Sequence, residues 1–305
     1  MRIQFTKMQA FGNDYVYIDA IHQELPNLNK LAQYVSDRHF AIGSDGMILI
    51  CPSTPLAAGN GQTVADFRMR VFNPDGTEGE MCGNALRSVS KYVYDHKLTD
   101  KTEFTIETLG GIQHVWLTVK NGLAVNIRAD IGTPVLDTGK IPVITELPEF
   151  IHQPVKVLDR TFHITAVSWG NPHIVAFVEN TADLDVALYG PALENMTSLF
   201  PNRTNVTFAQ IVNRNYIKIR EWERGTGETI GCGTGCCTAV VGSILQNYVD
   251  RDVTVEQIGG PLHVIWSEET GHVTMEGPSH TMFEASIEVT EEILQEYLTR
   301  KEGMA

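Results

Sequence analysis

Two cysteines stand in nearly the same context. Cys82 closes Gly76-Thr77-Glu78-Gly79-Glu80-Met81-Cys82-Gly83-Asn84, and Cys232 closes Gly225-Thr226-Gly227-Glu228-Thr229-Ile230-Gly231-Cys232-Gly233-Thr234, 232 − 82 = 150 residues later. An apolar run follows each Cys-Gly pair, so each cysteine is expected at the start of a helix. A helix N-terminus presents unpaired N–H groups and partial positive charge, which lowers a thiol's pKa. The same N–H groups can hold a carboxylate. Two such ends on either side of one small acid would remove a proton from one face of a carbon and return one to the other.

The elements that position these thiols follow from pattern. Nine residues before each cysteine lies a polar residue at a strand end, Asn73 and Glu223. Alternating segments read as strands at 3–8, 15–18, 47–51 and 67–73, then 103–108, 114–119 and 123–129. Asn121-Gly122 is a hairpin signal. Asn27 is expected to cap a helix carrying Leu28, Leu31, Ala32 and Val35, and 52–63 reads as a loop. In the second half, strands are expected at 155–158, 162–168, 205–208 and 216–223, and near 253–257, 261–266, 272–277 and 283–289. Gly12-Asn13-Asp14 and Gly170-Asn171-Pro172-His173 hold matching places, 82 − 13 = 69 and 232 − 171 = 61 residues before their cysteines. The run after Cys82 shows one apolar helix face. The run after Cys232 is apolar on most sides and must be buried at the centre of its domain. Residues 290–300, with acids first and Arg last, read as a docked terminal helix.

Composition narrows the function. The chain has 305 residues, 43% hydrophobic, with 23 basic against 37 acidic side chains and a net charge of −14. That excess of acid argues against nucleic-acid binding, which needs clustered Lys and Arg. A small anionic ligand fits better. Five cysteines imply no disulfide framework. No run approaches the length of a membrane span, and Met1-Arg2-Ile3-Gln4-Phe5 carries no secretory signal. A cytoplasmic protein with no membrane partner is expected, in a compartment that keeps thiols reduced.

Other readings compete. Cys51, Cys236 and Cys237 lack the duplicated context and read as small buried hydrophobes. A metal module would use Cys232, Cys236 and Cys237, but their spacing is not that of a zinc site, so no metal is expected. A redox pair would sit within one motif. Glu223 and Arg224, alone a solvated pair, become candidates to recognise a distal ammonium and carboxylate. His173 can tune a thiol or be a structural histidine. Glu80 and Glu228 are expected to brace the loops ahead of the helices.

Taken together, Gly12-Asn13-Asp14-Tyr15, Phe72-Asn73, Asp75-Gly76-Thr77-Glu78, Met81-Cys82-Gly83-Asn84, Gly170-Asn171-Pro172-His173, Asn205 and Trp222-Glu223-Arg224-Gly225 with Cys232-Gly233-Thr234-Gly235 resemble the diaminopimelate epimerases. The resemblance runs in order from residue 3 to about 289. It implies an α/β fold of the α+β type, with two pseudo-symmetric domains. Each is a mostly antiparallel sheet wrapped around a central helix, and the active site lies in the cleft. The domains are expected at 1–131 with 279–305, and at 132–278. The last strand, near 283–289, returns to the first domain. The implied activity is interconversion of LL- and meso-diaminopimelate in lysine and peptidoglycan precursor biosynthesis, with no pyridoxal and no other cofactor. A homodimer is implied as well. Cys82 and Cys232 become the acid/base thiols. Asn13, Asn73, Asn171, Asn205, Glu223 and Arg224 contact the substrate, chiefly at its distal centre. Gly83-Asn84 and Gly233-Thr234 hold the carboxylate of the reacting centre, and His173 and Glu223 modulate the thiols. Ala85 departs from the usual Gly, Gly46 from a substrate-contacting Gln of some members, and Gly231 from a usual Ala; the tail beyond 289 is longer than typical. A racemase of another amino acid, such as histidine or proline, is the nearest rival, and a cysteine-based metal or redox module is the rival of a different class.

Overall fold

The computed structural model of the protein describes residues 1–55 and 64–303. Of the loop expected over 52–63, Pro52 ends a strand, and 56–63 lie outside the described residues. The described residues contain five α-helices: α1 (Leu28–Ser36), α2 (Gly83–Asp95), α3 (Val186–Glu194), α4 (Gly233–Leu245) and α5 (Glu291–Glu302). The chain divides into two compact units, Met1–Ala129 with Pro278–Ala305, and Asp130–Gly277.

In the first unit, strand Arg2–Ala10 pairs antiparallel with Asn13–Asp19 on one side and with His280–Glu288 on the other. Asn13–Asp19 runs parallel to Met47–Pro52 across the α1 connection. Antiparallel Phe67–Phe72 follows, then parallel Glu103–Thr108 across the α2 connection, then antiparallel Gly111–Lys120 and Leu123–Asp130. Asn121 and Gly122 both have positive φ, 52° and 76°, as a tight hairpin between twisted strands requires. Helix α2 packs against Arg2–Ala10, Asn13–Asp19, Phe67–Phe72 and Gly111–Lys120. It is enclosed on more than the one face its sequence suggests. Ser88, Ser90 and Arg87 are buried beside Leu86, Val89 and Val93. Hydrogen bonding makes this tolerable: the Ser90 hydroxyl donates to the Leu86 carbonyl at 2.8 Å and the Ser88 hydroxyl pairs with Ser279 at 2.7 Å.

The second unit repeats the pairing sequence. Arg160–Ser168 pairs antiparallel with Pro172–Phe177, which runs parallel to Asn205–Asn213 across α3. Antiparallel Tyr216–Glu223 follows, then parallel Asp252–Gln257 across α4, then antiparallel Gly260–Trp266 and Val273–Gly277. Gln153–Val157 occupies, beside Arg160–Ser168, the slot that His280–Glu288 holds in the first unit. Helix α4 packs against all seven strands of this path, from Arg160–Ser168 to Val273–Gly277. Val240 and Val241 are fully buried, each contributing about 2 kcal/mol.

Two elements escape the sequence pattern. Strand Pro172–Phe177 begins inside what reads as a turn. Helix α3, absent from the expected elements, contains Gly190 and Pro191, both poor helix formers. It forms because Asp185 caps it, accepting from the Leu188 N–H at 3.0 Å. Asn27 does stand at the N-cap of α1, but its side chain makes no cap bond and donates to Glu291 at 2.5 Å instead.

Helix α5 docks on α1 through Leu294 and Tyr297. The Tyr297 hydroxyl donates to the Gln33 carbonyl and to Asp37, both at 3.1 Å, and Lys301 reaches Asp37 at 2.7 Å. The Thr290 hydroxyl caps α5.

Candidate active site

The two cysteine motifs superpose by a constant offset of 150 along the chain. Val71 pairs with Gly79 and Phe72 with Glu78; Glu221 pairs with Thr229 and Trp222 with Glu228. Arg70 grips Glu78 through two bonds of 2.8 Å, and Arg220 grips Glu228 at 2.7 and 3.0 Å. Glu228 therefore braces its loop as expected, but its counterpart is Glu78. Glu80 offers its main-chain carbonyl to the Gly110 N–H at 3.1 Å.

In the first unit Cys82 is the N-cap residue of α2, in extended conformation and half-buried. A directed relay of side chains surrounds it. Arg87, fully buried over the Phe11 ring, donates to the Asn84 amide oxygen at 2.6 Å. The Asn84 amide N–H donates to Asn13 Oδ1 at 3.3 Å, and Asn13 Nδ2 donates to Asp45 at 2.8 Å. Arginine only donates and carboxylate only accepts, so both amides between them have a fixed orientation. The Cys82 thiol points at Asn13 Oδ1, 3.6 Å away, and the Tyr15 hydroxyl points at Cys82 Sγ from 3.8 Å. Burial and the neighbouring thiol push the Tyr15 phenol well up, so it stays a donor. Behind Asn13, Asp14 holds Lys7 and Arg38, and Arg38 also reaches Asp45 at 2.8 Å. Burial raises the Asp14 carboxyl, but Lys7 and Arg38 outweigh it and hold it below its usual value. Asn73 lies exposed at the strand end, its amide on the Thr77 hydroxyl at 3.0 Å.

Gly46 sits where Asn205 sits in the other unit, since Val16 pairs with Met47 as His173 pairs with Asn205 one step earlier in register. Its φ is +154°, and a Cβ there would overlap the Phe72 carbonyl oxygen and lie 2.8 Å from the Tyr15 ring. A glutamine cannot enter that position without moving the strand.

In the second unit Cys232 is the N-cap of α4 and buried, 8% exposed. Its sulfur accepts from the Gly235 N–H at 3.4 Å and lies 3.4 Å from the Thr234 hydroxyl, while its own N–H donates to Gln257 at 2.9 Å. The helix start was expected to lower this thiol's pKa. Burial, Glu223 and Glu221 push it well up instead, and the opposing help from Thr234 and Gly235 is smaller.

The turn after strand Tyr216–Glu223 is held from below by Glu194 of α3. Glu194 accepts from Trp222 Nε1 and from the Gly225 N–H, both at 2.7 Å, and pairs with Arg203. Gly190 lets α3 come this close, since a Cβ there would lie 2.6 Å from the Trp222 ring. Thr229 donates to Glu223 at 2.6 Å. The Asn205 amide ties the Arg224 N–H and the Pro172 carbonyl together, both at 2.9 Å, and the Arg224 guanidinium, on an exposed residue, reaches the Asn202 carbonyl at 3.0 Å. Asn171 is half-buried in the preceding turn. His173 is fully buried, and burial, then Arg224, pushes its ring down to about 3. Glu221 is 2% exposed; burial raises its carboxyl well above the usual range although Thr207 donates to it at 2.6 Å. His173 Nδ1 and Glu221 Oε1 are 3.9 Å apart. Burial disfavours the charged form of both groups, which argues against reading this contact as an ion pair.

Each motif thus gathers most of its expected residues: Cys82, Asn13 and Asn84 in one unit, and His173, Asn205, Arg224, Glu223, Thr234 and Cys232 in the other. Gly83 and Gly233 open the two helices. Sequence reasoning missed Tyr15, Arg87 and Glu221. Tyr15 carried a signal, for it stands two residues after Asn13 as His173 stands two after Asn171. Cys236 and Cys237 are fully buried as read, and all five cysteines are free thiols. Among the described residues, no three His, Cys, Asp or Glu side chains gather in a way that could hold a metal ion, and no helix is long and apolar enough to cross a membrane.

The model of the family described as diaminopimelate epimerase matches residues 5–136 and 165–282. A diaminopimelate epimerase of Methanococcus maripaludis is 46% identical over 287 residues, covering 94% of this chain and all of its own. Among solved structures, a phenazine biosynthesis protein of the PhzF family from Bacillus anthracis aligns with a TM-score of 0.66 at 19% identity, over 95% of this chain and all of that one. A probable proline racemase from Agrobacterium radiobacter aligns with a TM-score of 0.67 at 13% identity, over 94% of this chain and 93% of that one. These two likenesses establish the shared two-unit fold.

Proposed function

The chain belongs to the diaminopimelate epimerase family, and on that premise we propose that it interconverts LL- and meso-diaminopimelate with Cys82 and Cys232 as acid and base. The observation that carries this reading is the duplicated placement of a cysteine at the N-cap of a buried 13-residue helix, with its strand, bracing Arg–Glu pair and loop in the same register.

The hydrogen on an amino acid's α-carbon is a very weak acid. Without an electron sink, the carbanion is stabilised as it forms, through the carboxylate that shares its charge. Gly83-Asn84 and Gly233-Thr234 supply helix-start N–H groups for that carboxylate, each such donor being worth about 3 kcal/mol in a transition state. One cysteine begins as thiolate and takes the proton; the other begins as thiol and gives one. The roles exchange with the stereochemistry of the substrate. Asn13, Asn73, Asn171, Asn205, Glu223 and Arg224 bind the substrate, chiefly its distal amino-acid head, with Arg224 suited to a carboxylate and Glu223 to an ammonium. His173 and Glu223 set the protonation of the thiols. The two compact units are the two domains, the working protein is a cytoplasmic homodimer, and its partner is the small amino-acid substrate.

The test is exchange of the substrate α-hydrogen in deuterated water without added pyridoxal phosphate. The wild-type protein is expected to exchange and epimerise LL-diaminopimelate and to leave histidine and proline unchanged. Cys82→Ala and Cys232→Ala are each expected to abolish epimerisation. Full two-way turnover by either variant refutes the two-thiol assignment, and turnover of a single-headed amino acid in preference to diaminopimelate favours the racemase reading.

A further inference from the structure

The second unit carries a buried acid that the two-thiol chemistry does not use. Glu221 points inward from strand Tyr216–Glu223, two residues before Glu223. The Thr207 hydroxyl donates to its Oε2 at 2.6 Å. Its other oxygen, Oε1, has no hydrogen-bond partner, and neither ring nitrogen of His173 has one. These three orphaned atoms belong to neighbours, with Oε1 3.9 Å from Nδ1. Buried polar atoms are rarely left unpaired, and the remaining gap is about 1 Å longer than a hydrogen bond. The terminal torsion of a carboxyl group is soft enough to close it.

The place is built for this carboxyl. A Cβ on Gly235 would fall within 2.6 Å of Glu221 Cδ, so only glycine leaves it room. The first unit has no such arrangement. Its equivalents, 150 residues earlier, are Val71 for Glu221 and Ala85 for Gly235, with Tyr15 in the place of His173. The groups facing the carboxyl are Thr207, His173 and the α4 turn bearing Cys232 and Gly235; Glu223 and Arg224 are the nearby charges. None is a cation close enough to hold a buried carboxylate, which would demand pairing. With Thr207 donating to Oε2, an acid proton on Oε1 would face Nδ1.

We propose that Glu221 is a positioning residue whose neutral carboxylic acid donates to His173 Nδ1 and so fixes that ring as the tautomer carrying its proton on Nε2. The inference rests on the reading that His173 modulates a working thiol. It turns His173 into a fixed N–H donor at Nε2 across the working pH range. Glutamine reproduces the arrangement, donating from its amide to Nδ1 and accepting from Thr207; valine, the residue of the first unit, does not.

The experiment is long-range proton–nitrogen correlation on protein labelled with nitrogen-15 in histidine, the His173 signals being those lost in His173→Gln. The expected wild-type pattern is a neutral ring with bare Nδ1 and protonated Nε2, unchanged between about pH 6 and pH 8. A protonated Nδ1, or an imidazolium in that range, overturns the proposal. Epimerisation is followed alongside. Glu221→Val is expected to lower kcat about tenfold or more, and Glu221→Gln to restore it to within about threefold. A Glu221→Gln variant as impaired as Glu221→Val overturns the proposal. The tautomer is read without substrate, so a protein with the expected ring state but no action on diaminopimelate would fail the functional reading alone.

Discussion

Alanine at position 235 puts a methyl group where the Glu221 carboxyl lies. That carboxyl is 2% exposed and tied to Thr207, and the added Cβ would stand 2.6 Å from its Cδ, well inside contact distance. Overpacking of this kind costs about 1–3 kcal/mol. Glu221→Val alone leaves the Thr207 hydroxyl without its acceptor, a further loss of about 1–3 kcal/mol. Combining the two recreates the Val71–Ala85 pairing of the first unit, where both residues are buried without difficulty. The double variant is therefore expected to be more stable than the sum of the single losses by about 1–2 kcal/mol, as contacting residues couple. Urea unfolding of the four proteins measures this directly. Strict additivity, or a Gly235→Ala variant as stable as wild type, would show that the carboxyl does not occupy the space assigned to it.

Two further expectations concern the first unit. Tyr15→Phe removes the hydroxyl aimed at Cys82 Sγ; since a hydrogen bond to a charged group contributes about 1.5–3 kcal/mol, kcat is expected to fall about tenfold or more with KM little changed, and a kcat within about twofold of wild type argues against the contact. The Asp37 carboxyl, which burial alone would raise, is held well below its usual 3.8 by Lys301, the N–H groups of His39 and Phe40, and Tyr297. A depressed folded value means stability present above 3.8 and lost as pH falls through the lowered value. Acid unfolding should thus be steeper in the wild type than in Asp37→Asn as pH falls from 3.8 toward the lowered value, and equal slopes there would remove Asp37 from the account.

Much of the site was legible because its information is local. A Cys-Gly pair ahead of an apolar run states a helix start, and its repetition states that the start matters. Asn121-Gly122 likewise declares its hairpin through the φ angles it tolerates. What escaped depends on contacts between distant residues. Gly190 has no evident role in the sequence until Trp222 is seen to need the missing Cβ, and Glu194 is an ordinary acid until Trp222 Nε1 and the Gly225 N–H converge on it. Tyr15 was marked only by its place two residues after Asn13, and nothing local marks Arg87; the first is turned onto a thiol and the second is buried over the Phe11 ring. The pKa of Cys232 was misjudged for the same reason. The helix start was visible in the sequence, and the two carboxyl groups and the burial that outweigh it were not.

The strand His280–Glu288 lies beside Arg2–Ala10, so the first unit is closed by residues made after the whole of Asp130–Gly277. On the ribosome, Asp130–Gly277 can finish folding as an uninterrupted stretch while the earlier-born unit still waits with one long edge of its sheet unpaired. An open edge of that kind invites pairing with other nascent chains. Slow or interrupted translation of residues 278–303 would therefore leave the first unit half-finished after Asp130–Gly277 is complete, and yield in overexpression would depend on that short stretch more than on α2 or α4.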